Sequence, residues 1–212
     1  MKKLVSIAGV AGAAAWVYRS HLRDRHLNWG AAPEEVEMWL PGDEFVAEPD
    51  VVANRAVRIV APAAAVWPWL VQMGPGRAGA YTYDWIENLL RLAMHSSDRV
   101  HPEWQDLDLG DAPSVRPGAE PGPGAMYVRV LDPERALVTV SGDETWSWGF
   151  YLFPTDGATR LLSRNRIKAS PSLGARLGLA LMTPGSWVME RKMLLGIKER
   201  AERLARQTPV PT

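Results

Sequence analysis

The chain has 212 residues, 47% of them apolar and 23% charged, with no cysteine, which is the composition of one globular domain able to bury a core. Disorder, collagen-like repeats and disulfide scaffolds are excluded, and so are thiolate nucleophiles, Cys-ligated zinc and iron–sulfur clusters. Twenty-four Lys and Arg balance 24 Asp and Glu, so no net positive field recommends a nucleic acid as partner.

Lys2 and Lys3 precede an uncharged stretch, residues 4–18, running from Leu4 to Tyr18. It is short for a spanning helix and long for a signal-peptide core. Three readings stay open: a membrane anchor, a cleaved signal peptide using the small residues Ala11, Ala13 and Ala15, and a docking helix. As an anchor it would keep the main domain cytoplasmic, because Arg19, Arg23 and Arg25 flank its C-terminal side against two lysines on the other. Residues 1–27 are thus set apart from an irregular Pro-, Gly- and acid-rich lead-in over 28–50, a domain over 51–206 and a tail over 207–212.

Residues 51–60 have strand composition, and Ala61-Pro62 then fits a helix start. The helix carries Val66, Trp67, Trp69, Leu70 and Met73 at helical spacing, with Pro68 as a kink, and closes at Gly74. After a Gly-Pro-Gly-Arg-Ala-Gly loop, Thr82 can cap a second helix whose Trp85, Ile86, Leu89, Leu90 and Ala93 form one apolar face.

From Gly124 the period becomes two. Asp156-Gly157 signals a tight hairpin that sets Thr155 opposite Ala158. That register places Trp146 against Ile167, Trp148 against Asn165, Phe150 against Ser163 and Leu152 against Leu161 on one face. The other face pairs Ser147 with Arg166, Gly149 with Arg164 and Tyr151 with Leu162, and suits solvent. Closing the preceding turn through Ser141–Glu144 sets Thr139 against Trp146 and Leu137 against Trp148. Met126, Val128 and Val130 join the same inner face.

Ser170-Pro171 and Thr183-Pro184 both read as a cap followed by Pro, which splits residues 171–182 from a long helix reaching about residue 205. Met193, Leu194, Ile197, Ala201 and Leu204 form its apolar stripe, and Glu190 falls on that stripe. The sum is an α+β architecture of helices on an antiparallel sheet.

Three strings resemble the START-like helix-grip superfamily, also called SRPBCC or polyketide cyclase/dehydrase-like proteins. They are the strand into Ala61-Pro62 followed by residues 66–74, the string over 81–88, and the closing residues 189–194. The resemblance spans about residues 51–205. It implies a curved antiparallel sheet wrapped on a long C-terminal helix, with two shorter helices after the first strand. It further implies a cavity between sheet and helix that receives a hydrophobic or aromatic small molecule, lipid-like or polyketide-like. Relatives include carriers and cyclases, and one fold hosts many chemistries.

Trp146, Trp148 and Phe150 can stack a planar ligand or simply fill the core. Thr139, Ser163 and Asn165 point inward and must hydrogen-bond to one another, to water or to a ligand; a one-residue slip would bring in Arg164 and Arg166 instead. Tyr81, Tyr83 and Asp84 stand near the expected mouth, where capping explains them as well, and Met193 and Ile197 supply the helix wall. Glu190 would have a raised pKa if desolvated, whereas the commoner reading puts it in the first turns of a helix beside a neighbouring Arg. An enzymatic alternative, of cyclase, aromatase or dehydratase type, would draw proton transfer from Tyr83, His95, Asn165 or Glu190. His95, Asp98 and His101 match no metal signature. There is no phosphate-binding loop and no nucleophile elbow, so no cofactor is implied. Oligomeric state is left open.

Overall fold

The computed structural model describes residues 22–89, 91, 93–122 and 124–207; the stretch over residues 4–18 and the tail beyond 207 lie outside them. Five strands, β1 (Val51–Ile59), β2 (Met126–Asp132), β3 (Ala136–Ser141), β4 (Trp146–Thr155) and β5 (Ala158–Ile167), form one antiparallel sheet in the order β1-β5-β4-β3-β2. The first and last elements of the domain therefore meet, because β1 pairs with β5 along its whole length. Helices α1 (Arg23–Leu27) and α2 (Pro33–Glu37) precede the sheet, α3 (Ala63–Val71) and α4 (Asp84–Leu89) follow β1, and α5 (Leu173–Gln207) closes the domain. This is the α+β helix-grip arrangement: a curved antiparallel sheet gripping a long C-terminal helix.

The main core lies between the sheet and α3 and α5. Val57, Ile59, Leu137, Phe150, Leu152 and Leu161 from the strands meet Val66, Trp69 and Leu70 of α3 and Met193, Leu194, Ile197 and Ala201 of α5. The period of two on the strands and of 3.6 on the helices each present one apolar side, and only face-to-face packing buries both. The β4–β5 register follows the Asp156-Gly157 turn, with Thr155 opposite Ala158, Trp148 opposite Asn165 and Phe150 opposite Ser163. Gly157 takes the left-handed conformation such a turn requires, at φ 63°.

Several sequence expectations are corrected. Thr139 lies opposite Trp148 and Leu137 opposite Phe150, two residues from the expected register. The connecting loop is longer than a tight turn: Ser141 Oγ accepts from the amides of Thr145 and Trp146 at 3.2 and 3.0 Å and so closes residues 142–145. Facing is unchanged, because a shift of two preserves parity. Val130 instead belongs to the outer face, since a bulge between Val128 and Val130 breaks the alternation.

Helix α4 does not extend through Arg91 and Ala93, which adopt φ of 60° and 51°, incompatible with a right-handed helix. The Asn88 side chain bonds both the amide and the carbonyl of Met94, at 2.9 and 2.8 Å, and so fixes the turn. Trp85 and Leu89, expected on an apolar face, are 70% and 76% exposed. The C-terminal helix is one rod rather than two, with Pro184 inside it. The carbonyl that loses its helical donor at Pro184 is that of Ala180, which is exposed and open to water, and Thr183 Oγ1 donates to Leu179 O at 2.8 Å one residue earlier.

The lead-in is not irregular packing-free chain. Together with α2 and a short 3-10 turn (Asp43–Val46) it covers the outer face of the sheet, where Leu40 joins Ala56, Val138, Val140, Tyr151 and Leu162 in a second core. That face is therefore not a solvent face, as the alternation had suggested.

No helix among the described residues is long and apolar enough to cross a membrane.

Candidate functional site

A cavity of about 380 Å³ lies between the sheet and the middle of α5, within the size range of small-molecule sites. Val51, Ala53 and Arg55 of β1, Trp146 and Trp148 of β4, and Asn165 and Ile167 of β5 form its floor. Residues of α5 from Leu179 to Met193 form the facing wall, and Ala80, Thr82 and Glu87 close one side with Leu27 of α1. The two indoles stack on the same side of the sheet, with ring centres 6.1 Å apart and planes at 17°, and Phe150 continues the row 5.0 Å from Trp148.

One polar network is set into this wall. Arg55 Nη1 donates to Glu190 in a fully buried ion pair, with the two side chains 1% and 7% exposed. The remaining groups of Arg55 are also engaged: Nε donates to His26 O at 3.0 Å and Nη2 to Ser186 Oγ at 3.3 Å. Glu190 accepts in addition from Ser163 Oγ at 2.6 Å and from Asn165 Nδ2 at 3.2 and 3.3 Å. The indoles complete it, Trp148 Nε1 donating to Ser163 Oγ at 2.9 Å and Trp146 Nε1 to Asn165 Oδ1 at 2.8 Å. Burial pushes the Glu190 carboxyl above its ordinary value, against the pull of Arg55 and Ser163.

Glu190 is thus not in the first turns of its helix. Because α5 runs through Pro184, the residue stands in mid-helix, far from the dipole end, and its charge is met across the core.

A second carboxylate reaches the cavity from α4. Glu87 is 6% exposed, and its Oε2 makes no hydrogen bond of normal geometry among the described residues; the same holds for the buried Oγ1 of Thr82 beside it. The two groups lie close enough for the hydroxyl to draw the carboxyl's pKa down, yet burial outweighs that and raises it, with Asp84 adding to the rise.

The structure brings Trp146, Trp148, Asn165, Glu190 and Met193 together on the cavity. Ser163 stands behind it as the acceptor from Trp148, while Phe150 and Ile197 belong to the closed core. Thr139 donates to Trp148 O at 3.4 Å. Tyr81 is buried beside the cavity; its hydroxyl donates to Trp69 O and accepts from Gln72 Nε2, both at 3.0 Å, and burial holds its pKa high. Tyr83 is 37% exposed under the Lys192 ammonium. His95 is exposed. Asp98 pairs with Arg200, and His101 bonds Ser97 and Glu103. Asp84 accepts from the amide and hydroxyl of Ser96.

Arg164 and Arg166 face outward, as the unslipped register requires. There Arg164 donates to Asn54 Oδ1 at 2.6 Å, Asp43 Oδ2 at 2.7 Å, and the carbonyls of Met38 and Glu35.

Sequence reasoning missed Arg55 and Glu87. Arg55 carried a readable signal: it has the same parity as Val57 and Ile59, so a cation stood on the apolar face of β1 just as Glu190 stood on the apolar stripe of α5. Glu87 carried none, since its burial depends on where α4 meets the cavity.

The chain matches no family model and no curated protein. Among solved structures it is similar to the protein MLL2253 from Mesorhizobium loti, at 17% identity over 76% of this chain and 100% of that one, with a TM-score of 0.38. It is also similar to the Polyketide_cyc-like protein Cgl2372 from Corynebacterium glutamicum, at 16% identity over 74% of this chain and 90% of that one, TM-score 0.33. DynU16, a protein in the dynemicin biosynthetic locus, aligns at 16% identity over 69% of this chain with a TM-score of 0.40, and the match spans 47% of its length, about half. The helix-grip fold of this chain is carried by its own strand order, register and closing helix.

Proposed function

We propose that the protein binds a hydrophobic or aromatic small molecule, lipid-like or polyketide-like, in the cavity between its sheet and α5. The observation that carries this reading is a largely apolar hollow of about 380 Å³ walled by two stacked indoles. A core that merely needed filling would bury those rings fully, as it does Trp69 at 2% exposure. Isothermal titration with small aliphatic and naphthalene-based probes tests it. Binding is expected in the wild type, weakened about tenfold or more by Ala53→Phe, which fills the floor of the hollow. A flat response across the panel would refute the reading.

Cyclase- or dehydratase-type chemistry has less support. Glu190 is held by Arg55 and Asn165, and the Asn165 carbonyl by Trp146, and neither Tyr83 nor His95 lines the cavity. Tethering of a cytoplasmic domain through residues 4–18 rests on the flanking charges Lys2, Lys3, Arg19, Arg23 and Arg25 alone.

A further inference from the structure

We infer that Glu87 and Thr82 form the polar end of this cavity and that they select an apolar ligand carrying a protonated amine. The inference rests on the cavity being a ligand site and adds which head group that ligand bears.

Among the described residues, three charged side chains line the cavity, Arg55, Glu190 and Glu87. The first two answer each other. Arg55 has Nε on His26 O, Nη1 on Glu190 and Nη2 on Ser186, so each of its nitrogens already donates within the protein and its charge is answered by Glu190. Glu190 is likewise met by Arg55, Ser163 and Asn165. Glu87 is left over. Among the described residues the charge acting on it is that of another carboxylate, Asp84.

A carboxylate buried this deeply is normally paired or hydrogen-bonded. Glu87 Oε2 and Thr82 Oγ1 are two adjacent buried oxygens on the cavity wall that make no hydrogen bond of normal geometry among the described residues, and the hydroxyl beside the carboxyl supplies no charge to answer it. What satisfies both is a group with several donors and one positive charge: an ammonium has three N–H bonds, can give one to each oxygen, and cancels the unmatched charge. A neutral hydroxyl supplies one donor and no charge. A carboxylate ligand would add a second negative charge beside Glu87. The body of the ligand then lies along Trp146, Trp148 and Met193.

Three probes that share one tail test this: octylamine, 1-octanol and octanoate, titrated calorimetrically into the wild type and into Glu87→Gln. Octylamine is expected to bind about tenfold tighter than octanol, the scale of one charge-assisted hydrogen bond, with octanoate weakest. In Glu87→Gln the preference for the amine over octanol is lost. Equal affinity for all three in the wild type, or an amine preference that survives in Glu87→Gln, overturns the head-group assignment and leaves the cavity reading standing. Binding of none of the three overturns both. The wild-type ranking decides the matter even if the variant does not fold, and Glu87→Asp, which keeps the charge, is expected to keep the order.

Discussion

Glu87 and Glu190 are two carboxylates in one hollow with opposite circumstances. Glu190 has its charge answered within the protein, at the cost of desolvating both partners, and removal of either partner would strand the other. Glu87 has no such partner, and its pKa is raised by burial. Between its ordinary value and that raised value the folded protein holds a proton the unfolded chain has released, so stability falls as pH rises through the window and is fully retained below it. Glu87→Gln removes the titration. In the ligand-free protein the variant is expected to melt higher than wild type at neutral pH and to converge with it near pH 4, where an ordinary Glu is itself largely protonated. Thermal melts of both from pH 4 to 8 check this, and parallel curves would show that Glu87 is not desolvated as described.

The β4–β5 hairpin organises the site, because Trp146, Trp148, Ser163 and Asn165 hold their spacing through its register. That register was legible in the sequence: a two-residue Asp-Gly turn leaves one pairing that keeps the apolar residues on one side. Gly157 sits at φ 63° with nothing within 4 Å of where a Cβ would go, so a side chain there meets only backbone strain. Gly157→Val is expected to lower stability by about 1–2 kcal/mol and Gly157→Asn by clearly less, as denaturant unfolding would measure. Equal losses would mean that space rather than φ is limiting. The β3–β4 connection was less legible, since its turn is built by a side chain, Ser141 Oγ, in place of a backbone dihedral signature. The continuity of α5 through Pro184 was hidden for a related reason: Thr-Pro starts a helix when chain precedes it in another conformation, but interrupts one only weakly when the freed carbonyl faces water.

At the scale of the molecule, the sheet is covered on both sides, and arginines of β5 pin the outer cover, Arg164 the most buried of them. Arg164 ties β5 to Asn54 of β1 and to Asp43, Met38 and Glu35 of the lead-in. Glu35 in turn pairs with Arg160 at 2.7 Å, which holds its carboxyl below the usual range, and Tyr151 donates to Pro41 O at 2.7 Å. Arg164→Met would leave Asp43, 7% exposed, without its closest charge partner and several carbonyls without donors. A loss of about 3–5 kcal/mol is expected in denaturant unfolding, with faster proteolysis within residues 35–46. Unchanged proteolysis would show that the lead-in is held by its apolar contacts alone.

Sequence alone determined the inner layer: periods of two and 3.6 declare the core-facing sides of β4, β5 and the second half of α5, and an Asp-Gly turn declares one register, because these are local properties of the backbone. It also exposed Glu190 as a charge on an apolar stripe. Only the tertiary structure decided what answers that charge, since Arg55 lies 135 residues away in the chain and sheet closure of β1 on β5 is what brings the two together. It alone likewise left Glu87 unanswered and the outer face covered, because solvation and pairing depend on which distant segments meet, and no local pattern encodes that.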